Sequence, residues 1–198
     1  MFYDEKGAIL YVGKAKDLKA RVSSYFTSPH ELEPKTQQLV SHIEKINITI
    51  VESELESLLL EAFYIKKFTP KYNIRLVDNK TYPLIKITIQ DKYPAVFMTR
   101  KINDKDSLYF GPYPSSSSVK LVLKTIRRAF PFMSSSNHPK KTCLYNHLGI
   151  CPCLPIHDTE ENRKEYKKNL KQVIRILEGE SPKILKELEK KRDAASKN

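Results

Sequence analysis

Cysteine is scarce in this chain of 198 residues: there are three, an odd number that argues against a disulfide framework. No stretch approaches the roughly 18 consecutive apolar residues that a membrane-spanning helix needs. The chain does not open on an apolar signal segment either, because Asp4, Glu5 and Lys6 follow almost at once. These absences predict a cytoplasmic protein that does not associate with a membrane.

Acidic residues are few relative to basic ones, with 23 Asp and Glu against 35 Lys and Arg and a net charge of +12. This excess favours a polyanionic partner, and nucleic acid is the commonest polyanion. The alternative is a basic protein that binds nucleic acid only nonspecifically, and composition does not separate the two. The 40% hydrophobic content is typical of a globular chain, and the length allows one or two small domains.

The most informative stretch is Tyr-Val-Gly-Lys-Ala-Lys at 11–16. It closes a short apolar run and opens a basic, helix-like segment in which Arg21 and Tyr25 share one face. A phenol, an ammonium and a guanidinium suit a phosphodiester, because the phenol can handle a proton and the cations can hold charge that builds on phosphorus. The alternative is a surface strand and helix with ordinary solvated basic residues.

Glu61 interrupts an apolar helical run at 58–67. A carboxylate in such a place is costly unless it is paired or binds a metal. The alternative is that Glu61 lies at the helix edge, solvated or loosely paired with a lysine. Tyr64 and Ile65 occupy the facing positions one turn further on, so the helix itself offers poor partners.

Taken in order, these motifs resemble the GIY-YIG nuclease domain, in the form found in the UvrC family of bacterial excision-repair nucleases. The resemblance rests on the stretch at 11–16, Arg-x-x-x-Tyr at 21–25, Leu-Leu-Leu-Glu-Ala at 58–62, Pro-Lys-Tyr-Asn at 70–73, Lys-Thr-Tyr-Pro at 80–83 and Tyr-Phe-Gly-Pro-Tyr at 109–113. It extends from Met1 to about Leu188, nearly the whole chain.

The resemblance implies a role for each matching residue. Tyr11 matches a tyrosine near the attacking water, a candidate general base, and Gly13 matches a glycine that lets the backbone turn. Lys14 and Arg21 match cations that orient the nucleophile and hold the scissile phosphate. Tyr25 matches a further active-site tyrosine.

Two further matches complete the implied site. Glu61 matches the single carboxylate that binds one divalent cation, and Asn73 matches an active-site amide after the helix. One carboxylate with water and phosphate oxygens suits Mg²⁺ or Mn²⁺.

The first half of the family's motif, Gly-Ile/Val-Tyr, has no match here. Counting back from Tyr11, its tyrosine would fall at or just before Met1, and Tyr3 lies a few residues too late. An odd shift along a strand would also turn Tyr3 to the opposite face. The resemblance as a whole implies a metal-dependent DNA endonuclease of nucleotide-excision repair.

The missing first tyrosine favours the alternative, a non-catalytic fragment of the same family that binds DNA or docks on UvrB.

Cys143, Cys151 and Cys153 form a metal-like cluster in which Cys-Pro-Cys is tighter than the usual Cys-x-x-Cys. Similar family members carry four cysteines here, associated with an iron–sulfur cluster, and the first is replaced within Ser-Ser-Ser at 134–136. Three histidines are candidates for a fourth ligand: His138, His147 and His157. The sequence favours unliganded thiols in a small helical subdomain over a bound cluster or metal.

The sequence predicts an α+β fold. A small GIY-YIG-type antiparallel sheet flanked by helices is followed by a β-hairpin extension and a mainly helical C-terminal part. Strands are predicted at 8–12, 46–51, 84–89, 95–99 and 108–110. Helices are predicted at 16–26, 35–45 and 54–68, near 119–126, and from 160 onward with a break near 179–182.

Four segments follow from this pattern. They are a nuclease domain at 1–77 with an incomplete first strand, a strand-rich extension and helix at 78–133, a cysteine-containing segment at 134–158 and a charged helical segment at 159–198. In the last segment, apolar residues at 184, 185 and 188 resemble the start of the hairpin through which the family contacts UvrB. The alternative for this tail is a solvated charged helix.

Overall fold

A computed structural model describes residues 1–27, 32–73, 82–138 and 141–180 of the chain. The chain divides into two compact units, Met1–Lys80 and Thr81–Asn198. Each combines a small antiparallel sheet with helices, so the predicted α+β class is confirmed. The four-segment division stays a prediction, and the predicted docking helix at 184–188 lies outside the described residues. No helix in the described part of the chain is long and apolar enough to cross a membrane.

The first unit is a three-stranded sheet with helices around it. Its described elements are β1 (Phe2–Tyr3), β2 (Ile9–Tyr11), α1 (Leu18–Phe26), α2 (Pro34–Val40), β3 (Lys45–Ile46) and α3 (Glu54–Phe68). The strand order is β2-β1-β3, and both pairings are antiparallel. Phe2, in the central strand, lies opposite Tyr11 on one side and Ile46 on the other.

One core cluster of this unit is largely aromatic. Its buried members come from two strands, two helices and the segment after α3: Phe2, Leu10, Tyr25, Leu39 and Tyr72. Phe2 meets Tyr25 edge-on, with ring centroids 5.2 Å apart, which is a favourable arrangement of two aromatic quadrupoles. The core therefore holds α1 against the sheet through residues that flank the candidate site.

Helix α3 has a clear local origin. The Ser53 hydroxyl accepts a hydrogen bond from the Glu56 N–H at 3.1 Å, which caps the first turn. Acidic residues lie in the first turn and Lys66 and Lys67 in the last, as the helix dipole favours. Thr69, in the left-handed region with φ of 43°, ends the helix just before Pro70. The predicted bounds of this helix are confirmed.

The predicted strand at 46–51 is wrong beyond its first residue. Asn47 still exchanges backbone hydrogen bonds with Met1, at 2.7 and 2.9 Å. No strand among the described residues lies opposite 48–51, and Ile48 and Ile50 are 55% and 85% exposed. The alternating isoleucines therefore do not report a buried face, because this segment runs along a cleft instead of through a sheet.

The second unit is a three-stranded sheet followed by helices. Its described elements are β4 (Leu84–Ile87), β5 (Val96–Thr99), β6 (Leu108–Phe110), α4 (Ser116–Ala129), α5 (Leu144–His147), α6 (Glu160–Arg175) and a final turn at Ile176–Glu180 that Gly179, with φ of 94°, interrupts. The order is β5-β4-β6, with antiparallel pairings throughout. Leu84 lies opposite Thr99 and Ile87 opposite Val96, so the predicted hairpin is confirmed.

Helices α4 and α6 each bury one apolar face within the second unit. Val119, Val122 and Ile126 are buried along α4, which packs against β5. From α6, the Tyr166 hydroxyl donates to the Pro94 carbonyl and accepts from the Met133 N–H. A buried hydroxyl with two partners avoids the cost of an unpaired polar group. Tyr166 thereby joins α6 to both the hairpin turn and the segment after α4.

Asp104 organises the connection between β5 and β6. Its carboxylate accepts a hydrogen bond from the Lys86 ammonium, one from the Ser107 N–H at 2.8 Å and one from the Tyr109 hydroxyl at 3.2 Å. These bonds, led by the one from Lys86, hold the pKa of Asp104 below its usual range. The ionised carboxylate is therefore favoured by the folded state.

We predict that Asp104→Asn lowers the thermal midpoint at pH 7 and that the difference from the unmodified chain narrows as the pH falls below about 4. A carboxyl group with a depressed folded pKa adds stability above its unfolded pKa, and this contribution is lost as the pH falls toward the folded value. Circular dichroism melts between pH 7 and pH 3 measure the effect. The exposed Asp106→Asn is the control, and a difference that stays constant with pH would contradict the assignment.

Candidate active site

The turn after β2 is held by a side-chain amide from the other end of the unit. Asn73 Oδ1 accepts a hydrogen bond from the Val12 N–H, and Asn73 Nδ2 donates to the Val12 carbonyl, both at 2.6 Å. Next to it, the Tyr72 N–H donates to the Leu10 carbonyl at 2.9 Å. The segment after α3 thus pairs with the end of β2 and fixes the backbone that leads to Gly13.

Gly13 has to lack a side chain because Tyr11 lies over it. A Cβ at position 13 would be 2.7 Å from the hydroxyl oxygen of Tyr11 and 2.7 Å from Cε1 of its ring. The ring is itself held, with centroids 5.6 Å from Phe2 and 6.2 Å from Tyr25. The absence of a side chain at position 13 therefore leaves room for the phenol of Tyr11 to lie over the turn.

Arg21 joins the two tyrosines. Its guanidinium carbon lies 5.0 Å from the centroid of the Tyr25 ring, and it interacts with the hydroxyls of both Tyr11 and Tyr25. Burial raises the pKa of Tyr25 well above its usual value, the Tyr11 hydroxyl raises it further, and Arg21 opposes the shift. Tyr25 is therefore a neutral phenol near pH 7, able to donate a hydrogen bond but not to act as a base.

Glu61 lies on α3 among apolar residues, of which Leu58, Leu59 and Ala62 are buried, and its carboxylate lies beside the turn at 12–14. The backbone of Lys14 hydrogen-bonds to it, and the positive charges of Lys14 and Arg21 lie within electrostatic range. Burial raises the pKa of Glu61, and the two cations partly offset this. Its Oε2 is shielded from solvent and has no hydrogen-bond partner among the described residues.

An unpartnered, shielded carboxylate oxygen is costly, and a bound cation would remove that cost. One carboxylate with room for water and phosphate oxygens suits the oxygen-rich coordination of Mg²⁺ or Mn²⁺. Glu61 therefore fits the role of a divalent-cation ligand on the chemistry of its own surroundings.

Glu61 lines a cleft of about 170 Å³ on the first unit. The walls come from the turn after β2, the segment at 47–51 and one face of α3. Gly13 and Lys14 also line this cleft, and the Lys14 ammonium lies 3.9 Å from a Glu54 carboxylate oxygen.

The predicted site residues thus fall into three places. Gly13, Lys14 and Glu61 lie on the cleft, Tyr11, Arg21 and Tyr25 form an adjoining cluster, and Asn73 binds the backbone behind them. Sequence reasoning did not select Lys16 and Tyr64, which also line the cleft. The spacing of Tyr64 from Glu61, three residues on a helix, was the available signal.

In the second unit, the three cysteines meet one histidine. The Sγ atoms of Cys143, Cys151 and Cys153 and a ring nitrogen of His138 all lie within 4.8 Å of one another. His147 and His157 are exposed and do not belong to this group. The structure therefore selects His138 from the three histidines that the sequence left open.

The fold and the cleft of the first unit define a GIY-YIG-type domain: residues 1–74 match the sequence model of the UvrC-like GIY-YIG domain. Residues 82–176 match that of the UvrC/Cho excinuclease middle domain. The chain belongs to the UvrC family.

Curated relatives agree with this assignment. The chain is 44% identical over 197 residues to the UvrABC system protein C of Desulfitobacterium hafniense, covering 98% of this chain and 31% of the relative. It is 39% identical to the proteins of that name from Caldanaerobacter subterraneus and Moorella thermoacetica, covering 98% and 99% of this chain and 32% of each relative. The chain thus spans about a third of the length of these relatives.

We predict that Asn73→Ala destabilises the first unit by roughly 1–3 kcal/mol, because it leaves the buried N–H and carbonyl of Val12 without partners. Chemical denaturation followed by tyrosine fluorescence measures the change. Asn47→Ala is the matched control, since only the backbone of Asn47 makes the hydrogen bonds seen at that position. Equal stability of the two variants would show that the amide does not hold the turn.

Proposed function

We propose that this chain supplies a GIY-YIG endonuclease centre to nucleotide-excision repair and hydrolyses a DNA phosphodiester near a damaged site. The observation that carries this proposal is the unpartnered Oε2 of Glu61, buried on a cleft beside the cations Lys14 and Arg21. The family membership and the net charge of +12 support DNA as the substrate. The UvrB-type repair subunit is the proposed protein partner.

The tyrosine–arginine cluster is proposed to activate the nucleophile and to hold charge. Tyr11 is the candidate general base for the attacking water, because its phenol lies against Gly13 beside the cleft and interacts with Arg21. Arg21 would hold the charge that builds on the phosphate in the transition state. Tyr25, kept neutral by burial, would accept a hydrogen bond from Arg21 and so orient it, while its own proton is donated to the Tyr11 hydroxyl.

Glu61 would hold the divalent cation, and Lys14 would contact the phosphate from the same wall of the cleft. A bound Mg²⁺ or Mn²⁺ supplies Lewis-acid stabilisation of the phosphate and of the leaving oxygen. Asn73, which the family resemblance matches to an active-site amide, has both polar atoms of that amide engaged by Val12. We propose it as a positioning residue that sets the turn carrying Gly13 and Lys14.

We predict that Glu61→Gln abolishes Mg²⁺- or Mn²⁺-dependent nicking while DNA binding stays within about threefold. The same change should raise the thermal midpoint of the metal-free protein, because the amide keeps the shape of the side chain and removes a poorly paired buried charge. Added Mg²⁺ or Mn²⁺ should raise the midpoint of the unmodified chain only, since a ligand stabilises the state that binds it.

These effects are measured by nicking of damaged duplex DNA, alone and with the UvrB-type subunit, and by thermal unfolding with and without metal. Glu44→Gln, an exposed glutamate in the same unit, is the control. Nicking at a near-native rate by Glu61→Gln would remove Glu61 from the site. Binding without cleavage by the unmodified chain under every condition would favour the alternative, a DNA-binding or UvrB-docking fragment.

We predict that Arg21→Ala slows cleavage by about 100-fold or more, as expected for a residue that stabilises transition-state charge. Its effect on the Kd for DNA should stay below about tenfold, because it is one cation among many. Single-turnover cleavage and fluorescence anisotropy separate the two. Lys19→Ala, an exposed cation on the same helix, should change both only slightly. Equal losses in rate and binding would make Arg21 an ordinary phosphate contact.

A further inference from the structure

We propose that His138, Cys143, Cys151 and Cys153 bind one tetrahedral Zn²⁺, and not an iron–sulfur cluster. These residues lie in the second unit, and the proposal does not depend on the nuclease assignment. The ligand set is the three thiolates and one imidazole of a structural zinc site. The metal-like pattern that the sequence only suggested is completed by a histidine that tertiary structure brings in.

The separations of the ligand atoms match a single small ion. Around zinc, with Zn–S of about 2.3 Å and Zn–N of about 2.0–2.1 Å, tetrahedral neighbours lie about 3.8 Å apart for two sulfurs and about 3.6 Å for sulfur and nitrogen. The Cys153 Sγ lies 3.8 Å from Cys151 Sγ and 3.4 Å from Cys143 Sγ. His138 Nε2 lies 3.2 Å from Cys153 Sγ and 3.9 Å from Cys151 Sγ. All the atoms of the group fall within 4.8 Å of one another, so they can surround one centre.

The same separations do not fit an iron–sulfur cluster. In such a cluster at least two of the protein ligands bind different iron atoms, and sulfide ions lie between those irons. The ligands are then pushed apart, whereas here no two of the four ligand atoms are more than 4.8 Å apart. The cysteine count points the same way, since the usual cluster takes four cysteines and only three are present.

The local backbone is bent to bring the sulfurs together. Cys153 has φ of 44°, in the left-handed region that a residue with a side chain rarely adopts. The Asn146 side chain, from α5, donates to the Cys151 carbonyl at 2.8 Å and holds the loop before Cys153. Strain of this kind persists where the surrounding structure requires it, and a metal site is one such requirement.

A nearby cation balances the charge of the proposed site. Zinc with three thiolates and a neutral imidazole carries one net negative charge. The half-buried guanidinium of Arg127 interacts electrostatically with Cys143 and Cys151. Its central carbon lies 4.5 Å from the ring centroid of Phe132 and 5.1 Å from that of Tyr145. Its Nε has no hydrogen-bond partner among the described residues. A cation buried against aromatic rings beside the thiols is explained if the group it faces is an anionic metal site.

With four protein ligands the proposed site is closed, so its role is structural. It would tie the segment around His138 to the loop at 143–153 and hold both against the buried core that includes Leu154.

The test measures metal content in the full 198-residue chain, purified without oxygen from cells supplied with both zinc and iron. We expect about one zinc per chain, negligible iron and acid-labile sulfide, and no brown colour. Metal-free protein titrated with Co²⁺ should develop the intense visible bands of a tetrahedral thiolate site. Stoichiometric iron with sulfide, or a chain that takes up neither Zn²⁺ nor Co²⁺, would overturn the proposal.

Matched variants show whether these residues are the ligands. His138→Ala should lose most of the zinc, whereas His147→Ala, at an exposed histidine on α5, should keep it. His138→Cys should restore zinc binding through a four-cysteine set, and it guards against His138→Ala failing only because it folds poorly. Full zinc content in His138→Ala, or equal losses in His138→Ala and His147→Ala, would refute the assignment.

Discussion

The geometry of the candidate active site depends on one buried amide. Asn73 binds both backbone polar groups of Val12 and so ties the segment after α3 to the end of β2. This places Gly13 under the ring of Tyr11 and puts the Lys14 backbone beside Glu61. The two hydrogen bonds are buried, so replacing the amide would leave two backbone groups unpaired at a cost that water could not easily offset. The turn is therefore held in place beside the candidate site, where the proposed phosphate contact needs precise positions.

Glu61, unlike Asn73, lowers the stability of the folded state. Its carboxylate is half-buried on an apolar helix, and one oxygen has no partner in the described part of the protein. A sequence shaped for stability alone would place a neutral or apolar residue there. The cost of burying this carboxylate is explained if a bound cation completes the site. A carboxylate beside a cleft and two basic residues is suited to holding a divalent cation. In the proposed site, Lys14 and Arg21 would serve both the carboxylate and the phosphate.

The second unit uses a different means of stabilisation. Its sheet and α4 form an ordinary apolar core, whereas the segment that carries the cysteines contains the short helix α5 and irregular turns. The side chains that converge there are thiols and an imidazole, with Arg127 beside them. One zinc ion would replace the apolar contacts that so short a segment cannot supply. In the proposed site His138 serves as the fourth ligand where the family has a cysteine, and ligand atoms within 4.8 Å of one another suit a single ion.

The sequence by itself determined the family, the α+β class, the bounds of α3 and the β4–β5 hairpin, because each of these follows from local spacing, capping or turn chemistry. It also picked out Glu61, since an acid in an apolar run is visible without coordinates. It wrongly extended a strand over 47–51, because alternating isoleucines do not reveal whether a partner strand lies opposite. Only tertiary structure decided that the Asn73 amide is occupied by Val12 and that His138, not His147 or His157, joins the three cysteines. Both depend on contacts between residues distant in the chain or on loop geometry, which spacing along a sequence does not encode.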